Sequence, residues 1–305
     1  MPPSIDFRSA RAGRRAPAIA YSSMRARALF RELMCSAPFQ PATNVWRAIE
    51  LSALGPKLPS SGNVLDIGCG DGHVTRILRE AARARWRLVG VDADPHETKL
   101  AEQAGIYDRV HTAPANAVPE EDGAFDLAIA NSVLEHICEL PSALGEISRC
   151  LAPGGLLAAT VPSVEFHELL AGPAKFSRRT RAAYLADIDR RLAHVNYWSR
   201  QRWREELSRA GFGAPAITGY LSLRQLRRWE TWSNWTGGML YRSFGRQRSP
   251  IAIQRSLGLR RRFPRALGLL AFKAAWAATA RILDERASDD EPTACCLILV
   301  RKRLI

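Results

Sequence analysis

No stretch of about 18 uncharged apolar residues occurs in this 305-residue chain, so a membrane-spanning helix is not expected. The nearest approach, Ala266 to Leu283, is interrupted by Lys273 and Arg281. Arg8, Arg11, Arg14 and Arg15 precede an apolar run, Ala16 to Ala20, that is too short for a signal peptide. The chain therefore reads as a mature cytosolic protein. Its cysteines, Cys35, Cys69, Cys138, Cys150, Cys295 and Cys296, form no C-x-x-C pair and no His/Cys cluster at zinc spacing. Small buried thiols in a reducing compartment are expected, with no metal site and no disulfide framework. Cys295 and Cys296 are adjacent in an apolar run, where strand geometry sends them to opposite faces. Lysine is scarce too. Among 44 basic residues only Lys57, Lys99, Lys175, Lys273 and Lys302 are lysines.

What is present, 47% apolar and 24% charged residues, describes a globular chain rather than a disordered or fibrous one. The length allows one large domain or one domain with a sizeable elaboration. The net charge of +14 is uneven: residues 1–60 carry 9 basic and 3 acidic side chains, residues 61–165 carry 8 and 16, and residues 166–305 carry 27 and 11. An acidic middle between basic flanks suggests one module at work and flanks that face an anionic partner. The arginine excess fits genome composition equally well, and both readings stay open.

Residues 1–20 mix Pro, Ser, Arg and Ala without periodicity and read as a disordered tail. Helical spacing follows through Ala28, Leu29, Leu33 and Met34, and again from Val45 to Leu54, before a Gly/Pro/Ser connector near 55–62. From Asn63 the pattern becomes strand and helix in alternation. Strands are expected at 64–67, 87–91, 109–112, 125–130 and 156–161, with helices at 73–85, 95–105 and 142–151 and a turn at Pro153-Gly154-Gly155. Such alternation implies an α/β fold with a parallel sheet covered on both faces. Beyond it lie one or two helices over 166–192 broken near Gly172-Pro173, a helix at 199–210, a strand at 215–221, a helical insertion and a final strand at 294–300.

The most informative window is Val64-Leu65-Asp66-Ile67-Gly68-Cys69-Gly70-Asp71-Gly72. A strand runs into a glycine turn that opens a helix, so backbone N–H groups and a helix N-terminus face whatever sits there. His73 replaces the third glycine of a pyrophosphate-binding G-x-G-x-x-G, and no G-K-[ST] of a P-loop follows. At these residues the sequence resembles the class I S-adenosylmethionine-dependent methyltransferases. The resemblance also rests on Val91-Asp92-Ala93-Asp94, on Phe125 to Ala130 with Asn131-Ser132-Val133-Leu134-Glu135-His136, and on Leu151-Ala152-Pro153-Gly154-Gly155-Leu156. It covers residues 60–165 closely and the rest of the chain more loosely.

The resemblance implies a doubly wound, mostly parallel seven-stranded sheet of Rossmann-like methyltransferase type, with a helical insertion before the last strand. It implies S-adenosyl-L-methionine as cofactor. Asp66, Gly68 and Gly70 would cradle its methionine end, Asp92 with Ala93 its ribose, and Asn131 would lie near its reactive side. The family's usual acidic residue after the third strand is missing from Ala113-Pro114-Ala115-Asn116-Ala117, where Asn116 is the candidate adenine contact and, equally, a plain loop residue. The organisation expected is a tail (1–20), a helical cap (21–60), the cofactor-binding core (61–165), lid helices with the sixth strand (166–222), the insertion (223–291) and the final strand (292–305).

A sulfonium methyl is transferred by in-line displacement, and an oxygen acceptor needs its proton removed, for which a near-neutral His suits. His136 and His194 are the candidate bases, His194 paired with Tyr197 on the substrate side. Each is read against a purely structural role. The resemblance implies that residues 165–292 choose the acceptor, a small molecule, a glycan or a lipid-linked intermediate. The insertion carries Leu226, Trp229 and Trp232 at helical spacing and a basic run, Arg260-Arg261-Arg262-Phe263-Pro264-Arg265. Core packing is the favoured reading of the stripe; contact with an anionic membrane surface is the alternative. Nucleic-acid methylation is disfavoured because Asn131-Ser132-Val133-Leu134 lacks the [ND]-P-P-[YF] clamp, and a non-catalytic cofactor-binding module is the remaining rival.

Overall fold

A computed structural model of the chain describes residues 23–173, 180–244, 250–258, 263–284 and 291–304. The expected N-terminal tail and Arg260 to Arg262 of the basic run lie outside the described residues. The sheet has seven strands: β1 (Ser61–Ile67), β2 (Arg85–Asp92), β3 (Arg109–Thr112), β4 (Phe125–Asn131), β5 (Leu151–Pro162), β6 (Ala216–Ser222) and β7 (Thr293–Arg301). Their order is β3-β2-β1-β4-β5-β7-β6, all parallel except β7, which runs antiparallel between β5 and β6. The chain leaves β1 toward β2 and β3, then returns to place β4 on the other side of β1. That reversal opens a crevice at the carboxyl ends of β1 and β4, where doubly wound sheets bind ligands.

Period-two alternation divides the core between the two faces. Val64, Leu127, Ile129 and Cys295 face the layer that holds α1 (Ser23–Ser36) and α2 (Pro41–Leu54). Leu65, Ala128, Ala130 and Cys296 face the layer of α5 (Leu140–Cys150) and α8 (Arg200–Arg209). The adjacent cysteines therefore do point to opposite faces. All six cysteines are free thiols.

Helix ends follow local chemistry. In α4 (Pro95–Ala104), Asp94 caps the start by accepting from the His96 N–H at 2.9 Å, and Gly105 ends it in the left-handed conformation. The helix expected over 73–85 stops at Ala82, as α3 (His73–Ala82), because Arg83 turns left-handed. The Pro153-Gly154-Gly155 turn is a correction: these residues lie inside β5, where the register against β4 jumps from Phe125–Leu151 to Leu127–Leu156. Among the described residues of the segment over 166–192 there are two helices, α6 (Phe166–Leu169) and α7 (Arg181–Leu192).

The insertion comprises α9 (Leu223–Trp235), α10 (Gly237–Phe244), α11 (Pro250–Ser256) and α12 (Arg265–Asp284). A capping box, Ser222 with Gln225, starts α9. Leu226 and Trp229 are buried with Trp232 packed beside them, so the stripe belongs to the core. Helix α12, with a mean hydropathy of 1.4, is by length and composition apolar enough to cross a membrane despite Lys273 and Arg281. It packs along α1 and α2, and a Cβ at Gly268 would collide with the Cys35 backbone.

Candidate functional site

The turn between β1 and α3 is built by left-handed glycines. Gly68, Gly70 and Gly72 have φ of +67°, +54° and +76°. At Gly68 a Cβ would also lie 2.7 Å from Val133 Cγ1, in the segment after β4, so only glycine lets the two strand ends approach. Asp92 closes this turn from β2. Its Oδ2 accepts from Gly70 N–H at 3.0 Å and its Oδ1 from Asp94 N–H at 2.9 Å. Each oxygen keeps a second lone pair, so the carboxylate is held in place and still has capacity for two hydroxyl donors.

Asp66, at the end of β1, is buried. Its Oδ2 accepts from Thr75 Oγ1 and from Tyr107 OH, both at 2.6 Å. Burial pushes its pKa up to about 6, against the pull of those two hydrogen bonds. A cationic ligand group at this carboxylate would favour its ionised form. Ala93 is exposed directly after Asp92, and Asn116 is exposed in the turn after β3. These two follow neighbouring strands, since β2 pairs with β3.

A second cluster gathers at the end of β4. Asn131 does not stand free: its Oδ1 accepts from Arg47 Nη1 at 3.1 Å and its Nδ2 donates to Thr160 Oγ1 at 2.9 Å. Ser132 has φ +50°, an uncommon conformation for a side-chain-bearing residue. Its N–H donates to Thr160 Oγ1 at 2.9 Å, and its hydroxyl donates to Glu50 Oε1 at 2.5 Å. Glu50, fully buried in α2, also accepts from Tyr220 OH at 3.0 Å and from Arg47 Nη1 at 2.7 Å. An ion pair with a fully buried carboxylate and a partly exposed guanidinium thus braces the strained residue from behind. Helical spacing over 45–54 is carried by the apolar positions, and these do not single out Arg47 and Glu50. The signal was there, two charges spaced i,i+3 inside a core helix.

Opposite Ser132 stand the histidines. The loop after α7 is stitched to the turn after β4: Val195 and Asn196 N–H donate to the Glu135 carbonyl, and Asn196 Nδ2 donates to the Leu134 and Ile137 carbonyls. This brings the His136 and His194 rings to 5.4 Å between centroids. His136 Nδ1 donates to the Ala193 carbonyl at 2.8 Å. His194 Nδ1 donates to Tyr197 OH at 3.0 Å, since that hydroxyl gives its own proton to Asp189 at 2.6 Å. Both Nε2 atoms are then unprotonated and lie 4.0 Å from Glu135 Oε1.

Tyr197 sits behind His194, in a chain through Asp189 to His167 Nε2 at 2.7 Å. Burial forces its phenol pKa upward, with Asp189 adding to the effect. Burial drives His194 down to about 3, and it lowers His136 against backbone bonding at Ala193 and Ser132. Burial lifts the Glu135 carboxyl to about 8. Ligand atoms of Glu135, His136 and His194 lie within 4.8 Å of one another, spacing that could hold a metal ion, although no metal was expected from the sequence. A cavity of about 130 Å³ opens here, lined by Arg47, Ser132, Glu135, His136 and His194 with Trp46 and Trp229.

A profile described as a methyltransferase domain matches residues 45–214, more than half of the chain. The chain belongs to the class I S-adenosylmethionine-dependent methyltransferase family. It is 33% identical over 107 residues to the malonyl-acyl-carrier-protein O-methyltransferase of Pectobacterium atrosepticum, covering 35% of this chain and 41% of that one. To the dimethylglycine N-methyltransferase of Parasynechococcus marenigrum it is 29% identical over 196 residues, 55% and 68% of the two chains. The chain spans about half the length of the first curated relatives it matches. Its fold is shared with the methyltransferase in a complex with the Trm112 methyltransferase activator of Haloferax volcanii: TM-score 0.51, 13% identity, 94% of this chain and 100% of that one. The family cofactor is S-adenosylmethionine. The glycine turn, the two-lone-pair Asp92 and the buried Asp66 fit it.

Proposed function

We propose that this protein transfers a methyl group from S-adenosylmethionine to a small-molecule acceptor held in the cavity beside Ser132. When bound, the cofactor supplies an electrophilic methyl on a sulfonium, for which the acceptor atom must sit in line at about 3–3.5 Å. Asp92 would hold the ribose hydroxyls. Asp66 and the amides of the glycine turn would hold the methionine end.

On the acceptor side, Trp46 and Trp229 meet edge to face at 4.7 Å and exclude water from one wall. The Arg47–Glu50 pair fixes Ser132 at the floor. His136 is the better placed proton acceptor of the two histidines. It is 37% exposed in its side chain, whereas His194 is buried and driven far from neutrality in its affinity for a proton. The Ala193 carbonyl that receives its Nδ1–H would stabilise the imidazolium formed when Nε2 takes the acceptor's proton. His194, oriented by Tyr197, packs beside His136 and shapes the pocket.

The observation that carries this reading is the meeting of two histidine Nε2 atoms with the end of β4 around an open cavity, next to a turn fitted to the cofactor. The named relatives act on oxygen and on nitrogen, so the acceptor atom is not taken from them. The basic flanks are partly spent inside the molecule, as Arg255 pairs with Asp94 and Glu97 at 2.7 Å and Arg265 pairs with Glu32 at 2.8 Å. This favours a small acceptor over nucleic acid. Incubation with methyl-labelled cofactor and fractionated extract tests it: label entering a small-solute or lipid fraction supports the proposal, and label only in RNA or in no fraction overturns it.

A further inference from the structure

A second cavity, about 150 Å³, lies beside the first and shares Thr43, Leu192 and Trp229 with it. Its walls are mostly apolar, including Phe39, Leu240 and Ile253. Two buried polar groups also line it: Arg191, 9% exposed, and Tyr241, 4% exposed. Arg191 spends Nη1 on the Ser233 carbonyl at 3.1 Å, but among the described residues neither its Nη2 nor the Tyr241 hydroxyl has a hydrogen-bond partner. A buried donor left without a partner is costly, and a ligand group that reached it would relieve that cost.

The nearby acids make their direct hydrogen bonds and ion pairs to other groups. Glu230 accepts from Tyr184 OH at 2.5 Å and from the Ala171 and Gly172 N–H groups. Asp187 forms an ion pair with Arg190. Burial lowers the Arg191 pKa and Arg242 adds to that, and together they outweigh the opposing pull of Tyr184, Glu230 and Asp187. The room is built in. At Gly238, in α10, a Cβ would lie 2.5 Å from Arg191 Nη1, so glycine is what lets the guanidinium lie there.

We propose that Arg191 and Tyr241 form an anion subsite for a carboxylate or phosphate on an otherwise apolar acceptor. This rests on the methyl-transfer reading of the adjoining cavity. The anionic group would anchor one end of the molecule while the other reaches His136, so the anchored group is not the one methylated. Arg191 stands three residues before His194, which ties the anchor to the reactive pocket through the same stretch of chain.

Calorimetry of the full chain saturated with adenosylhomocysteine tests this with three probes: octanoate, octyl phosphate and octanol. Octanoate or octyl phosphate is expected to bind at least tenfold more tightly than octanol, and which anion binds better separates the carboxylate from the phosphate source. Arg191→Met should erase that preference and Tyr241→Phe should reduce it severalfold, with adenosylhomocysteine affinity unchanged in both. Tyr241→Phe keeps the test open should Arg191→Met fail to fold. Equal binding of octanol, or an anion preference that survives both substitutions, overturns the proposal. The two readings fail separately. An Arg191-dependent anion preference in a protein that methylates no extract fraction would sink the transfer reading alone, whereas methylation of uncharged acceptors only, without anion preference, would sink the subsite alone.

Discussion

The two halves of the site are made in different ways. The cofactor half comes from short segments that follow their own strands, Asp66 to Gly72 after β1 and Asp92 after β2, and its key contacts span few residues or adjacent strands. The acceptor half is assembled from α2, the end of β4, the loop after α7 and α9, elements up to about 180 residues apart in the chain. One half is written locally and the other exists only after folding. A methyl-transfer scaffold can therefore keep its cofactor turn while the distant elements are exchanged to change the acceptor.

Four substitutions or titrations would break or sharpen that contrast. The largest effect is expected at the acceptor side. His136→Gln should lower turnover of the labelled extract fraction by about 10²–10⁴-fold with cofactor affinity unchanged, since it removes the proton acceptor. An unaltered rate would move the proton elsewhere. Next, Glu50→Ala takes the carboxylate from half-buried Arg47 and removes the buried acceptor that Ser132 and Tyr220 share. Chemical denaturation should show a loss of about 3–5 kcal/mol, and a loss below 1 kcal/mol would mean the ion pair is not the brace.

A third, smaller effect follows from Glu135. Its folded pKa is about 8, above the unfolded value near 4.5, so the folded state binds the extra proton. Stability is then greatest below the unfolded value and declines as pH rises through the folded one. Between pH 6.5 and 8.5 the loss should be about 2 kcal/mol. Glu135→Gln should flatten this dependence in melts across that window, and an equally steep slope in the variant assigns it to another group. Smallest, Asp92→Ala should weaken S-adenosylmethionine binding by about tenfold or more through loss of a charge-assisted acceptor. Calorimetry giving an unchanged Kd would remove Asp92 from the cofactor site.

The same division explains what could be read from the chain. The strand–turn–helix at Asp66 to Gly72 and the strand ending at Asp92 were legible because each is a local pattern of apolar period, glycine and acid. The antiparallel placement of β7 between β5 and β6 was not legible, because periodicity carries no sheet order and no strand direction. The Pro153-Gly154-Gly155 turn was misread because a bulged strand and a turn use the same residues. Arg47 and Glu50 stand out as two charges in a core helix, but nothing near them in the chain reveals their partners Ser132, Asn131 and Tyr220. Arg191 and Tyr241 are hidden for the same reason: an unpaired polar atom is a property of the packed molecule and not of a helix sequence.

The most direct measurement is a crystal structure with adenosylhomocysteine bound. Both ribose hydroxyls should fall on the Asp92 carboxylate, and the sulfur should point past Ser132 toward His136. A nucleoside seated away from the Gly68 to Gly72 turn, or a sulfur facing away from the Trp46–Trp229 cavity, would contradict the assignment.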